Sequence, residues 1–189
     1  DPAFISNKAW ASGGNQGYVI ATGGDGHLQW NLSGPPDGRK DYDGPGGTFG
    51  NDDWHHIVMS FDRDGNAVTV LNGETVDSTL IGDNENNVNT PAGLATNVAQ
   101  DGTGAYGSGS FSDLSVDDLG IWRRVVTPQE AKAIYELGLE GKDLSEVDLP
   151  VPPETPGMMS APPIRKPRPT WGRRRMPRSP FCGRSPLTM

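Results

Sequence analysis

Apolar and polar positions alternate with a short period along most of this chain. Over the first 115 residues, apolar side chains come at every second position or in brief runs, interrupted by clusters of Gly, Asn and Asp. That pattern predicts strands rather than helices. The strands expected are residues 3–7, 17–22, 27–32, 55–62, 67–71 and 75–81. Within FDRDGNAVTVLNGETV, Asp64-Gly65-Asn66 marks one turn. Asn72-Gly73 marks another, because Asn-Gly readily takes the left-handed backbone of a two-residue hairpin. Turns about 8–12 residues apart are the rhythm of an all-β sandwich or barrel. Residues 82–108 are polar and rich in Gly and Asn, with only 94–98 strand-like. Such a stretch on a β scaffold is either a functional loop or a solvated one.

The period changes once, in VDDLGIWRRVVTPQEAKAIYELGL, residues 116–139. It opens as a strand over 116–122, with Leu114, Val116, Leu119, Ile121 and Trp122 supplying the apolar positions. A helix start follows. Thr127 is a favoured cap, Pro128 fits the first turn, and Glu130 can bond back to the cap backbone. Ala131, Ile134, Tyr135 and Leu137 then fall at helical spacing, and Gly138 and Gly141 end the run. One helix of roughly three turns on an all-β, antiparallel body is the expected architecture.

Composition agrees: 33% hydrophobic residues with 26 Gly suit many short strands and turns. A length of 189 residues suffices for one domain with a core. No run of about 18 apolar residues exists, so no helical membrane span is expected. The opening DPAFISNK is already strand-like and carries neither Met nor a signal-type segment, so the chain is expected to be a piece of a larger or processed protein. The lone cysteine, Cys182, leaves the folded part without a disulfide, which does not distinguish compartments. Asn31-Leu32-Ser33 is a glycosylation triplet of the kind that also arises by chance.

Charge divides the chain more sharply than the net −8 implies. Residues 1–149 carry 8 Lys/Arg against 23 Asp/Glu, a net −15, whereas 150–189 carry 8 Lys/Arg against Glu154 alone, a net +7. Eleven of the 17 prolines also fall after Leu149. The expected organisation is a domain over 1–149 and a disordered basic Pro/Arg-rich tail over 150–189. The tail reads as a linker, as a binder of nucleic acid or another acidic surface through Trp171 and Arg173–Arg175, or as an accident of the coding sequence. The linker and accident readings are favoured, and nucleic acid is not an expected partner.

Three segments together resemble one family. DDWHHIVMSFDRDGNAVTVLNGE is similar to the central hairpin of laminin-G-like, pentraxin-like domains, a Trp-His-His strand, a turn and a strand ending in Asn-Gly. VDDLGIWRRVVTPQEAKAIYELGLEGKDL resembles their closing signature, a last strand with paired Asp and then a capped helix. NVAQDGTGAYGSGSFSD resembles the loop before that strand. The resemblance spans roughly residues 1–145 and implies a concanavalin A-like jelly roll of two antiparallel sheets. Such domains carry a core strand set ahead of the ISNK region that this sequence does not contain. A preceding part or another chain is therefore expected to complete the fold, and an uncompleted edge invites self-association. VTVLNG also departs from the pattern, since relatives tend to have an aromatic before its final apolar residue.

The chemistry to weigh begins with Asp117 and Asp118. Neighbours on a strand point to opposite faces, so a structural role for these acids outweighs a catalytic pair. Glycoside hydrolysis needs two carboxyls about 5 to 10 Å apart. Retaining glucanases of the resembled fold carry them as Glu-x-Asp-x-Glu, and no such spacing exists here, where Glu74 and Glu85 are the only glutamates before the helix. SVDDLGIW brushes the sialidase Asp-box pattern but its spacing is off by one. His55 and His56 diverge on a strand and His27 is distant in sequence, so a zinc site is not expected. No nucleophile motif, phosphate loop or CxxC is present.

Calcium has better standing, since it takes six to eight oxygens and GDNENNVN and AQDGTG are oxygen-rich loops. The resemblance implies calcium where a Gln/Asp loop meets an Asn-bearing early loop. The matching positions are Gln100 and Asp101, with Asn15 and Gln16 beside them; plain turn formation is the competing reading. Among aromatics in or beside loops (Trp10, Trp30, Tyr42 and Tyr106), Trp10 and Tyr42 are the candidate sugar platforms, while Trp54 and Trp122 read as core.

Three functions remain open. The first is a non-catalytic extracellular or cell-surface recognition or adhesion module, binding glycan or a protein partner, with calcium or without, as an accessory to a larger protein. The second is part of a glycoside hydrolase. The third is a structural or assembly protein completed by strand pairing.

Overall fold

The computed structural model describes residues 2–104 and 114–149. The segment 150–189, with its tail readings, Trp171 and Cys182, lies outside the described residues, as does Tyr106. Eight strands form two antiparallel sheets. In chain order they are β1 (Ala3–Ser6), β2 (Gly17–Thr22), β3 (Leu28–Ser33), β4 (Lys40–Asp43), β5 (Ile57–Phe61), β6 (Asn66–Leu71), β7 (Glu74–Leu80) and β8 (Asn97–Val98). The five-stranded sheet runs β4-β3-β2-β1-β8 and the three-stranded sheet β5-β6-β7.

Period-2 alternation decides what faces what. Trp30 and Leu32 of β3, Ala67 of β6 and Ile81 fill the space between the sheets, flanked by Tyr18, Ile20, Tyr42, Met59 and Phe61. Trp30 ties the layers together. Its indole N–H donates to Thr69 Oγ1 at 2.9 Å, and Phe61 packs edge-on against its ring, 5.3 Å between centroids. Val19 and Ala21, on the opposite face of β2, make a separate cluster with Ala3 and Trp10. Both faces of β3 are consequently buried along its whole length.

The β6–β7 turn is the Asn-Gly hairpin expected: Asn72 sits at φ 49° and Gly73 at φ 81°. A side chain at Gly73 would also collide with the Tyr135 ring, 2.6 Å from where a Cβ would stand. The helix α1 (Pro128–Leu139) has the full capping box, with Thr127 accepting from the Glu130 N–H and Glu130 accepting from the Thr127 N–H. It runs through Gly138, so Gly141 at φ 72° follows its end rather than Gly138 breaking it. Ala131 and Ile134 press on Val58 and Val70, the outward face of the three-stranded sheet, with Val126 alongside. A short 3-10 turn (Leu144–Glu146) follows.

Two expectations need correction. β4 was not anticipated, because Lys40, Asp41 and Asp43 leave Tyr42 as its only apolar residue; charged edge strands carry this disguise. Conversely, residues 116–122 join no ladder among the described residues. Asp117 and Asp118 are both exposed, Asp118 takes φ 49°, and neither makes a hydrogen bond or ion pair among the described residues, so they are not divided between an inner and an outer face.

Candidate functional site

The loops gather at two ends of the sandwich, and the ends differ. At the first end lie the 7–16, 34–39, 62–65 and 83–90 loops, laced together. Arg63 Nη2 donates to the carbonyls of Asn84 and Asn86 at 2.9 and 3.0 Å and to Asn86 Oδ1 at 2.7 Å. Asn7 Nδ2 donates to Val88 O at 3.0 Å, and Lys40 pairs with Asp83 at 2.8 Å. The Asn-rich stretch is thus pinned along its length, with Asn84 and Asn86 buried.

Beneath this end is an uncommon group, the fully buried Lys8. Its Nζ donates to Asn31 Oδ1 at 2.7 Å and Gly13 O at 2.9 Å, and stands 5.6 Å from the centre of the Trp10 ring. No carboxylate lies within salt-bridge reach among the described residues. Burial first, and the neighbouring Arg39 charge second, lower its pKa to about 8. The triplet Asn31-Leu32-Ser33 is buried by the same contacts, with Asn31 only 1% exposed, so it does not present a glycosylation acceptor.

The candidate calcium residues lie beside this network. Asp101 is 2% exposed. One carboxylate oxygen accepts from the Trp10 N–H at 2.9 Å; the other accepts from the Thr103 N–H and hydroxyl at 2.8 and 2.5 Å. Asn15 Nδ2 donates to Ala9 O at 2.8 Å, next to the residue Asp101 holds, whereas Gln16 Nε2 turns away to Asn89 O at 3.3 Å. Gln100 is half-buried. The set offers one carboxylate, already engaged by three donors, and the amide nitrogens of Asn15 and Gln16 go to separate loops, so these side chains alone fall short of the six to eight oxygens of a calcium centre. Among the described residues, no group of three or more His, Cys, Asp or Glu side chains is placed to hold a metal ion.

The second end is formed by the β2–β3 turn, the 44–56 loop and the β6–β7 turn. Between the edges of the two sheets opens a cleft of about 230 Å³, lined by Leu28, Tyr42, Pro45, Thr48, Leu71 and Val76. Its lining is largely apolar and contains no carboxylate. Tyr42 stands half-exposed on β4, opposite Trp30 in register, with its phenol pKa raised by burial and then by the Asp77 charge. The 44–56 loop that supplies Pro45 and Thr48 continues through Phe49, which packs edge-on against Phe4 and His55 at 5.1 Å each. It then exposes Trp54, 69% accessible. His56 accepts its place from Asn72, whose side-chain oxygen takes the His56 N–H at 2.9 Å beside cleft residue Leu71, and its ring packs on Tyr135.

The two candidate platforms therefore part company. Tyr42 lies on the cleft. Trp10, at 7% exposure, is not a platform: its ring covers Val19, Ala21 and Ala3. Trp54, read as core from its place before a strand, is the exposed ring instead, because β5 begins only at Ile57. Two neighbouring breaks carry the signal for this, Gly50 at φ 90° and Asp52 at φ 61°. Across 23–28, 42–56 and 71–77 there are six acids (Asp25, Asp43, Asp52, Asp53, Glu74 and Asp77) and no Lys or Arg. His27 is held between two of them, its Nδ1 on Asp25 and its Nε2 3.7 Å from Asp43. Lys132 of α1 lines a separate groove together with Gly73, Glu74, Thr75, Pro128 and Gln129.

A family model, Laminin_G_3, described as the concanavalin A-like lectin/glucanases superfamily, matches residues 1–132. The chain belongs to that superfamily, as its two antiparallel sheets agree. No curated protein matches it significantly. Among solved structures it is similar to an S-layer domain-containing protein (residues 221–444) from Clostridium thermocellum ATCC 27405, at 17% identity and a TM-score of 0.30. That match covers 71% of this chain and 62% of the other, so the chain spans about three fifths of its length. Among the described residues no helix is long and apolar enough to cross a membrane.

Proposed function

We propose that this domain is a non-catalytic recognition module of an extracellular or cell-surface protein, binding neutral glycan at the end of the sandwich that carries Trp54 and Tyr42. The observation that supports it most is the pairing of a largely exposed indole, Trp54, with an apolar, tyrosine-walled cleft on the same loop system. Such rings offer a flat apolar face beside a polar tip, which suits stacking on a sugar. The cleft is smaller than the roughly 300–1,000 Å³ of sites that engulf a ligand. It holds the face of a ring, not an enclosed chain. No carboxylate lines it, as a glycosidase would require on both sides of the scissile bond. The six surrounding acids disfavour polyanionic glycans. Calcium forms no part of this proposal, because the one carboxylate of the candidate set, Asp101, is already held by protein donors.

The test is retardation of the full chain in gels containing neutral or uronic-acid polysaccharides. Retardation by a neutral polymer, at least tenfold weaker in Trp54→Ala and Tyr42→Ala, and without release of reducing ends, is expected. Reducing-end release abolished by one Asp or Glu change, or equal retardation of both variants, would overturn the proposal.

A further inference from the structure

Away from the Trp54–Tyr42 end, a buried amine lies against a buried carboxamide. Lys8 follows β1 and is fully covered; Asn31, within β3, is 1% exposed. Lys8 Nζ donates to Asn31 Oδ1 at 2.7 Å and to the Gly13 carbonyl at 2.9 Å. The other half of that carboxamide, Asn31 Nδ2, is buried and makes no hydrogen bond. A buried donor left unpaired is costly, and native folds rarely keep one without a reason.

Backbone contacts fix both partners. Asn31 pairs with Val19 on one side and Asp41 on the other, inside the five-stranded sheet. The Lys8 N–H donates to Ser6 Oγ at 3.1 Å, and its carbonyl accepts from the Gly102 N–H at 2.7 Å. The Trp10 ring, centred 5.6 Å from Nζ, packs with Val19 on the sheet face that Asn31 shares. Burial first, and the Arg39 charge second, lower the Lys8 pKa to about 8. Some neutral, nucleophilic amine is therefore present at pH 7, and it predominates at pH 9. Holding nucleophile and acyl carbon side by side removes the entropy of bringing them together. Among the described residues Lys8 alone bonds the Asn31 carboxamide, so nothing else stops Cγ from turning toward the amine.

We propose that Lys8 and Asn31 are the two halves of an intramolecular amide cross-link. The Nζ lone pair forms a bond to Asn31 Cγ, the Cγ–Nδ2 bond breaks, and a proton from Nζ leaves with Nδ2 as ammonia. One amide replaces another, so the step balances without oxidant, reductant or co-reactant. Unpartnered Nδ2 is the leaving group. Among the described residues no carboxylate stands within salt-bridge reach of Nζ to relay the proton, so the bond forms slowly. Fresh chain keeps its titrating amine, and the linked form accumulates on standing. The link ties the segment after β1 to β3 and constrains the unfolded chain as a disulfide does. It shares no residue with the glycan-binding end and goes beyond that reading.

The test holds the full chain at pH 9 for a week, then unfolds it, digests it with trypsin and weighs the pieces by mass spectrometry. Unlinked chain is cut after Lys8 and again after Arg39. Linked chain should give one piece, residues 1–39, uncut at Lys8 and lighter than its sequence by one ammonia. Its formation should be about tenfold faster at pH 9 than at pH 7, following the neutral amine. Chain held in guanidinium at pH 9 should form none, since only the fold brings the pair together. Cyclisation of another asparagine also releases ammonia but leaves Lys8 open to trypsin. Complete cutting at Lys8 after the week, or equal linkage in guanidinium, would refute the cross-link.

Discussion

Asp101 shows how much one carboxylate can hold. Buried at 2% exposure, it joins the Trp10 N–H to the turn at Thr103 and leaves no oxygen facing solvent. Removing it takes the acceptor from the buried Trp10 N–H, whereas the exposed Thr103 groups can turn to water, and an unsatisfied buried donor costs about 1–3 kcal/mol. Asp101→Ala should therefore lower unfolding free energy in urea by about 1–3 kcal/mol; a loss under about 0.5 kcal/mol would show that the latch is dispensable. Lys8 gives a pH signature. Its folded pKa, about 8, lies below the 10.5 of the free side chain, so between those values the unfolded chain binds the extra proton. Stability then rises with pH through that window, by up to roughly 3 kcal/mol, and is lost again on return toward pH 8. Lys8→Met should remove this rise, and parallel profiles for the two proteins from pH 8 to 10 would contradict it. Neither role was legible in the sequence. Asp101 was visible as a special acid in AQDGTG, but whether its oxygens meet a metal or amide protons depends on a segment some 90 residues away. Trp10 and Trp54 exchanged places for a similar reason: what covers a ring is settled by packing, not by its neighbours in sequence.

Among elements, the most legible were those whose signals are local. The Asn72-Gly73 hairpin and the Thr127 capping box need no distant partner, and both stand where expected. Thr127→Ala should cost about 1 kcal/mol, read as a lower chemical-denaturation midpoint with an unchanged slope. No change in midpoint would mean that Glu130, pinned by Arg124, suffices alone. Strand limits for β2 were read directly, because a short apolar run between Gly- and Asn-rich breaks marks both its ends. β4 was hidden by its charges. Residues 116–122 had the converse problem: the apolar pattern of a strand was genuine, but a strand is defined by its neighbour, and the described residues provide none.

For the whole molecule, two ends with different tasks emerge from a single sandwich. One is laced shut by Arg63, Lys40, Asn7 and buried Lys8; the other leaves an indole and a cleft open amid acids. The fold class was legible because turn spacing and the closing helix are global patterns carried by many residues. The open end was half legible, through Tyr42, since exposure is a property of the finished surface. With Asp101 engaged by protein donors, adding calcium after EDTA treatment should leave the melting temperature within about 1 °C, as a ligand that does not bind the native state cannot stabilise it. A rise of several degrees would restore a metal centre to the account. The most direct test of recognition follows the five tryptophan indoles by NMR while a retained neutral polysaccharide is added. The account predicts that the Trp54 N–H resonance moves while those of buried Trp10 and Trp30 stay fixed. Binding that leaves Trp54 unmoved would contradict it.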